Sequence, residues 1–158
     1  MEKELETVIK VKFGLSATYN WSVGKYMDRY IKELKNKKFL GIKCPNCGHI
    51  YLPPRMICRN CFTKMDEWVE VSDKGTVESF TIGQVKIDEN TGELKELEKP
   101  EILGLIRHDK TDSCVVYRIG EIEPRDVKAG MRVKAAWIDE PKGDLGDVKY
   151  YKPIEVKK

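Results

Sequence analysis

The sequence predicts a mainly β protein: one N-terminal helix, a small cysteine ribbon, and a C-terminal five-stranded barrel of the OB type. Three observations predict it. Val23, Met27, Tyr30, Ile31 and Leu34 recur at three- and four-residue spacing, which makes one apolar stripe on a helix. Two Cys-x-x-Cys pairs, Cys44/Cys47 and Cys58/Cys61, stand a short hairpin apart. From Gly75 onward, apolar and polar residues alternate in five runs. The first run is long and bent, and a longer break separates the third from the fourth, the pattern of an OB barrel. A Greek-key barrel of another kind satisfies the same pattern. The expected division is 1–38 for an arm and helix, 39–66 for the ribbon and 67–158 for the barrel.

Thr7, Ile9, Val11 and Phe13 alternate with Val8, Lys10 and Lys12, an edge or arm strand. Ser22 is placed to cap a helix running to about Lys37. Lys25, Asp28, Arg29, Lys32, Glu33 and Lys35 occupy its polar face. Such a helix packs on its own domain or on a partner. Phe39 to Lys43 leads into the ribbon as a strand, and Ile50-Tyr51-Leu52 is the other side of the hairpin.

Each Cys-x-x-Cys pair puts two thiolates on one knuckle. Folding the hairpin back brings Cys44, Cys47, Cys58 and Cys61 to one tetrahedral point, the geometry and ligand type that Zn²⁺ prefers. Gly48 follows the first pair, where the knuckle calls for φ > 0. Pro53-Pro54 lacks donor N–H groups and stiffens the return leg. Disulfides would need an oxidising compartment, and redox Cys-x-x-Cys motifs usually come singly. A rubredoxin-type iron site is the alternative occupant, because an S₄ tetrahedron holds either metal. Four cysteines close the coordination sphere, so one zinc per chain would be structural, contributing folding energy. His49 adjoins the site as a surface or supporting residue.

Beyond the ribbon, Trp68-Val69-Glu70-Val71 is a strand and Ser72-Asp73-Lys74-Gly75 a turn. The strand Gly75–Ile87 has Val77, Phe80, Ile82 and Val85 as apolar members, with a bulge or bend at Gly83. Residues 88–100 are polar, a long hairpin loop or flap. Strands follow at Ile102–Arg107, Ser113–Ile119, Met131–Ile138 and Val148–Val156. His108 to Asp112 is a turn, and a helical turn follows Pro124.

The chain has 158 residues, 41% hydrophobic and 35% charged, which is globular rather than disordered. A net charge of +3 is too mild to indicate nucleic acid. No apolar run reaches the length of a membrane span. The acidic start Met1-Glu2-Lys3-Glu4-Leu5-Glu6 lacks a signal-peptide core, so the expected location is the cytoplasm. No catalytic constellation stands out: no nucleophile elbow, phosphate loop or dinucleotide fingerprint. Cys114 lies in the apolar run Cys114-Val115-Val116-Tyr117 and reads as a core residue. Tyr117, Trp137, Tyr150 and Tyr151 could stack bases, but the barrel strands alternate Lys with Glu, which argues against a nucleic-acid groove.

The order of these parts resembles the thiolase-associated zinc-ribbon/OB-fold family of the domain-of-unknown-function-35 type. The resemblance rests on a helix, a leading strand, Cys-Pro-x-Cys-Gly, aromatic-x-Pro-Pro-Arg, Cys-x-x-Cys and a barrel. It also draws on Ile119-Gly120-Glu121, the run Val127 to Val133, and Tyr150-Tyr151-Lys152-Pro153. It implies a non-catalytic, zinc-binding subunit in a hetero-oligomer with a thiolase-fold acyl-CoA acyltransferase, helping to form or cover its acyl-CoA site. One type implied is the small subunit of benzoylsuccinyl-CoA thiolase in anaerobic toluene degradation. Another is a scaffold joining acetoacetyl-CoA thiolase to HMG-CoA synthase. A single-stranded nucleic-acid-binding ribbon/OB protein is the rival class. Catalytic cysteine and acid/base groups would lie on the partner. Lys35, Lys37, Lys38 and Arg55 are the expected contacts for coenzyme A phosphates, against the plain reading of lysines at a solvated helix end.

Overall fold

A computed structural model describes residues 20–88 and 90–154. The arm strand expected at residues 7–13 lies outside the described residues. Helix α1 spans Gly24–Leu34 and buries Tyr30 and Leu34. Ser22 does not cap it. Gly24 enters with φ of 72°, and Val23 takes the cap position with no side-chain hydrogen bond. The helix ends before Lys37, which adopts the left-handed region with φ of 56° while its amide donates to Leu34 O at 2.8 Å.

Strands β1 (Phe39–Lys43), β2 (Ile50–Tyr51) and β3 (Glu67–Val71) form an antiparallel sheet in the order β2-β1-β3. Five further strands follow: β4 (Lys74–Ile87), β5 (Leu94–His108), β6 (Cys114–Ile119), β7 (Arg132–Trp137) and β8 (Val148–Pro153). They close a barrel in the order β4-β5-β6-β8-β7, with β6 and β8 parallel at Ile119 and Tyr151. This is the OB-type architecture expected. A 3-10 turn at Pro124–Asp126 fills the break between β6 and β7.

Two buried clusters hold the molecule. The larger joins Tyr30 and Leu34 of the helix and Phe39 of β1 to Val77, Ile106, Val133 and Tyr151 of the barrel. The smaller gathers Ile42, Cys44, Tyr51, Cys58 and Met65 inside the ribbon. Phe39 and Ile42 stand three apart on one strand and so face opposite sides. Strand β1 thus supplies one residue to each core.

Of the stretch expected as a loop or flap, residues 94–100 are strand. Val85, Lys86 and Ile87 pair with Glu96, Lys95 and Leu94, so β4 and β5 continue past the barrel as a two-stranded ribbon. The expected irregularity at Gly83 is present as a register shift between Gly83 and Val85. Alternating Lys and Glu on β5 hid the strand, because each charge is solvated on an uncovered ribbon. Asp88 organises the tip: it pairs with Lys95 and accepts from the amides of Thr91 and Asn90, which together hold its carboxyl down to about 2. Phe80, Ile82 and Val85 are exposed and only Val77 of that set is core, because β4 leaves β7 after Thr76.

Gly75 is required by close approach. A Cβ there would lie 2.5 Å from the Arg107 carbonyl oxygen. Gly75→Ala is expected to lower stability by about 1–3 kcal/mol through overpacking. Gly83→Ala would meet only Glu101 O at 3.8 Å and serves as the mild comparison in a urea titration.

His108 is not a turn residue. It ends β5, is buried, and packs edge-on to Phe39 with ring centres 4.6 Å apart. Its Nδ1 lies 2.6 Å from Ser72 O, a carbonyl that only accepts, so Nδ1 donates. Nε2 then accepts from Tyr151 Oη at 2.7 Å. Burial pushes this imidazole below its ordinary value, outweighing the Ser72 carbonyl and the charges of Asp109 and Asp73. The unfolded chain takes up a proton at about pH 6.5 that the folded chain resists. The contribution is therefore full above about pH 6.5 and is lost as pH falls. Urea midpoints are expected to decline from pH 7 to pH 5, and His108→Gln to reduce that slope.

Candidate metal centre

Two matching knuckles build the site. In the first, Gly48 N donates to Cys44 O at 3.0 Å and Cys44 N to His49 O at 2.8 Å. In the second, Phe62 N donates to Cys58 O at 3.1 Å and Cys58 N to Thr63 O at 2.9 Å. Gly48 takes φ of 76°, as the knuckle requires. Phe62 takes the equivalent place at φ of 58°, a strained choice for a side chain that is 79% exposed. The sequence gives no sign of this, because the second knuckle lacks the expected glycine.

The four Sγ atoms of Cys44, Cys47, Cys58 and Cys61 all lie within 4.8 Å of one another. Cys44–Cys61, Cys47–Cys58 and Cys47–Cys61 are separated by 3.4, 3.5 and 3.6 Å. These approach the edge of a sulfur tetrahedron, ~3.8 Å for Zn–S bonds of ~2.3 Å. No cysteine is in a disulfide. The donor set fits one structural zinc held by all four thiolates.

The surroundings favour the thiolate at Cys61 and Cys58, whereas at Cys47 the His49 backbone favours it but burial and the neighbouring Cys44 and Cys58 sulfurs outweigh that and push the thiol up to about 11. Thr63, through its side chain and its backbone, holds the Cys61 thiol down to about 5, with Thr63 Oγ1 3.3 Å from the sulfur. Burial opposes the Cys58 thiolate, but Tyr51 Oη at 3.4 Å and the backbone amides of Cys61 and Asn60 outweigh it and lower that thiol. No sequence motif marks Tyr51 or Thr63 as a partner of the sulfurs. The only available signal was Thr63 standing two residues past the last cysteine. His49 is no part of the sulfur cluster; its ring stacks near Tyr51, with centres 6.3 Å apart.

The other expected site residues lie at the end of the helix, at the start of the first sheet and on the ribbon. Lys38 is ion-paired to Glu70 at 2.9 Å. Arg55 lies over the Tyr51 ring at 4.8 Å, on the ribbon. Lys35 and Lys37 follow the helix end and are exposed. Of the aromatics weighed for base stacking, Tyr151 is buried, and Tyr117 and Trp137 pack on the core. Tyr150 donates to Glu121. Three of these four barrel aromatics therefore turn inward, and the four do not form one exposed stacking row on the barrel. Cys114 is half-buried, beside Met27, Tyr30 and Pro53 in an apolar hollow.

Two family models match. The ChsH2 rubredoxin-like zinc ribbon domain matches residues 32–66 and the ChsH2 C-terminal OB-fold domain residues 68–138. A DUF35 domain-containing scaffold protein of Methanocaldococcus jannaschii is 33% identical over 135 residues, 80% of this chain and 88% of that protein. One from Pyrococcus furiosus is 32% identical over 115 residues, 71% and 79% of the two chains. A Sulfolobus solfataricus protein of the DUF35 family superposes with a TM-score of 0.59 at 26% identity, covering 80% of this chain and 84% of that one. The Ltp2-ChsH2(DUF35) aldolase superposes at 0.61 over 85% and 98%, and at 17% identity it speaks to the fold. No described helix is long and apolar enough to cross a membrane.

Proposed function

The chain belongs to the DUF35 family, and from that premise we propose that it is a non-catalytic subunit of a thiolase-type acyl-CoA acyltransferase complex. The observation that carries the reading is its 33% identity, over 88% of the relative's length, to a protein named as a scaffold. A closed Cys₄ site suits it, because four protein sulfurs leave no open position for substrate, and such a metal stiffens a surface. An uncovered apolar surface also suits it. Val85, Ile87 and Leu94 on the projecting ribbon are 50, 66 and 70% exposed, and exposed apolar patches mark contacts.

In this reading the reacting groups sit on the partner, and this chain contributes a rigid wall to the acyl-CoA channel. Lys35, Lys37 and Arg55 are its cations for the coenzyme A phosphates, while Lys38 is held by Glu70. Replacing Lys37 and Arg55 together is expected to raise the KM of the complex for its acyl-CoA severalfold with kcat little changed. An unchanged KM removes that assignment. The relatives' designation as scaffolds also suits the alternative reading, in which the chain joins two enzymes; acetoacetyl-CoA thiolase and HMG-CoA synthase are the pair that the family resemblance implies.

Mild affinity purification from the native host, with mass spectrometry and metal analysis of the bound fraction, tests the reading. A thiolase-fold chain in fixed ratio and one zinc per copy of this chain is the expected result. Two enzyme chains would select the scaffold form. Recovery of the chain alone, or with nucleic acid, would overturn the proposal.

A further inference from the structure

Helix α1 presents Lys25 and Arg29 four residues apart, hence on one face. The Arg29 guanidinium sits 4.5 Å from the centre of the Trp68 ring, and the Lys25 ammonium 5.5 Å from the centre of the Tyr26 ring. The two rings are stacked, with centres 5.6 Å apart and planes 25° apart. Tyr26 Oη donates to Met65 O at 3.0 Å, which anchors its ring to the zinc ribbon. Lys25, Tyr26, Arg29, Asp66 and Trp68 line an open hollow of about 310 Å³.

Lys32, Lys38 and Lys43 are ion-paired to Asp28, Glu70 and Glu67. Lys25 and Arg29 make no ion pair among the described residues, and they lie over the Tyr26 and Trp68 rings that line the hollow. A guanidinium held over an indole keeps N–H groups at its rim, and that planar fork matches phosphate oxygens. The stacked Tyr26 and Trp68 rings beside it offer aromatic surface to a planar base. A second cation one turn away serves a second phosphate. Asp66, the one carboxylate lining the hollow, offers an acceptor for a ribose hydroxyl or an exocyclic amine.

We propose that this cation-topped aromatic shelf binds a purine nucleotide bearing more than one phosphate, either free or as the nucleotide end of a larger cofactor. The site is complete within this chain and does not depend on the assembly reading.

The full-length, zinc-loaded protein should be titrated calorimetrically at low salt with adenosine 3′,5′-bisphosphate, with ATP and with coenzyme A. One saturable site for the bisphosphate is expected, weakening as salt rises. Lys25→Gln with Arg29→Gln should weaken it about tenfold or more, through loss of charge-assisted bonds. Lys32→Gln, on the same helix but already paired, should leave it within about twofold. Both variants should retain zinc, which separates lost binding from lost fold. Equal affinity for bisphosphate and coenzyme A supports a cofactor-borne nucleotide; equal affinity for bisphosphate and ATP supports a free one. No saturation at millimolar bisphosphate, unchanged affinity in the double variant, or binding of coenzyme A but not bisphosphate would each overturn the assignment. None of these outcomes bears on co-purification with a thiolase-fold chain, so the two proposals fail separately.

Discussion

Cys58→Ser is expected to reduce bound zinc from one per chain to near zero and to melt the ribbon while the barrel stays folded. Structural zinc contributes on the order of 10 kcal/mol to the folding of small metal-bound units. The ribbon has little else. Its buried cluster is Ile42, Tyr51 and Met65 around two of the cysteines themselves, and β2 is only two residues long. Cys58 is wholly buried and takes hydrogen bonds from Tyr51 Oη and the Asn60 amide, so a shorter, harder hydroxyl cannot replace its sulfur. The barrel has its own core of Val77, Ile106, Val133 and Tyr151. Hydrogen exchange reads both parts at once: amides of residues 42–65 should lose protection, and those of β4 to β8 should keep it. A strong chelator applied to the wild type should reproduce the pattern. Retained zinc, or a ribbon still protected, would refute the structural role of the metal.

Phe39→Ala is expected to destabilise the protein by about 3–5 kcal/mol, the range for deleting a buried aromatic. In a chain of this size that lowers the melting temperature by about 10 °C. Phe39 is fully buried among the rings of His108, Trp137 and Tyr151, with centres 4.6, 5.0 and 6.4 Å away. It is where the sheet that carries the zinc ribbon meets the barrel. The cavity would therefore loosen the placement of one relative to the other, beyond removing contacts. Ile42→Val, on the same strand but in the ribbon core, should cost only about 0.5–1.5 kcal/mol and is the comparison. Thermal melts of both variants with zinc retained decide it; equal, small shifts would show that Phe39 is not the joint.

Local chemistry made much of this protein legible. Sulfur ligands at Cys44, Cys47, Cys58 and Cys61 need two tight knuckles, and knuckle geometry is written in adjacent residues. The helix stripe and the barrel strands follow from period, which survives wherever one face is buried. The readings that failed are those where burial or pairing came from distant residues. Ser22 has the right chemistry for a cap, but the backbone turn at Gly24 took it out of position. Residues 94–100 look like a loop because no core covers them, yet β4 pairs with the first of them. His108 looks like part of a polar turn, and only the packing of β5 against Phe39 and Tyr151 buries it.

The sequence alone determined the metal site, the helix and the succession of barrel strands, because each depends on contacts within a few residues or on a repeating pattern. The tertiary structure alone decided which aromatics turn inward and which cations stay unpaired. It also decided that Lys25 and Arg29 come to rest over Tyr26 and Trp68, residues drawn from a helix and from a strand on the far side of the zinc ribbon. Such meetings are set by how elements pack, and nothing in the residues between them records it.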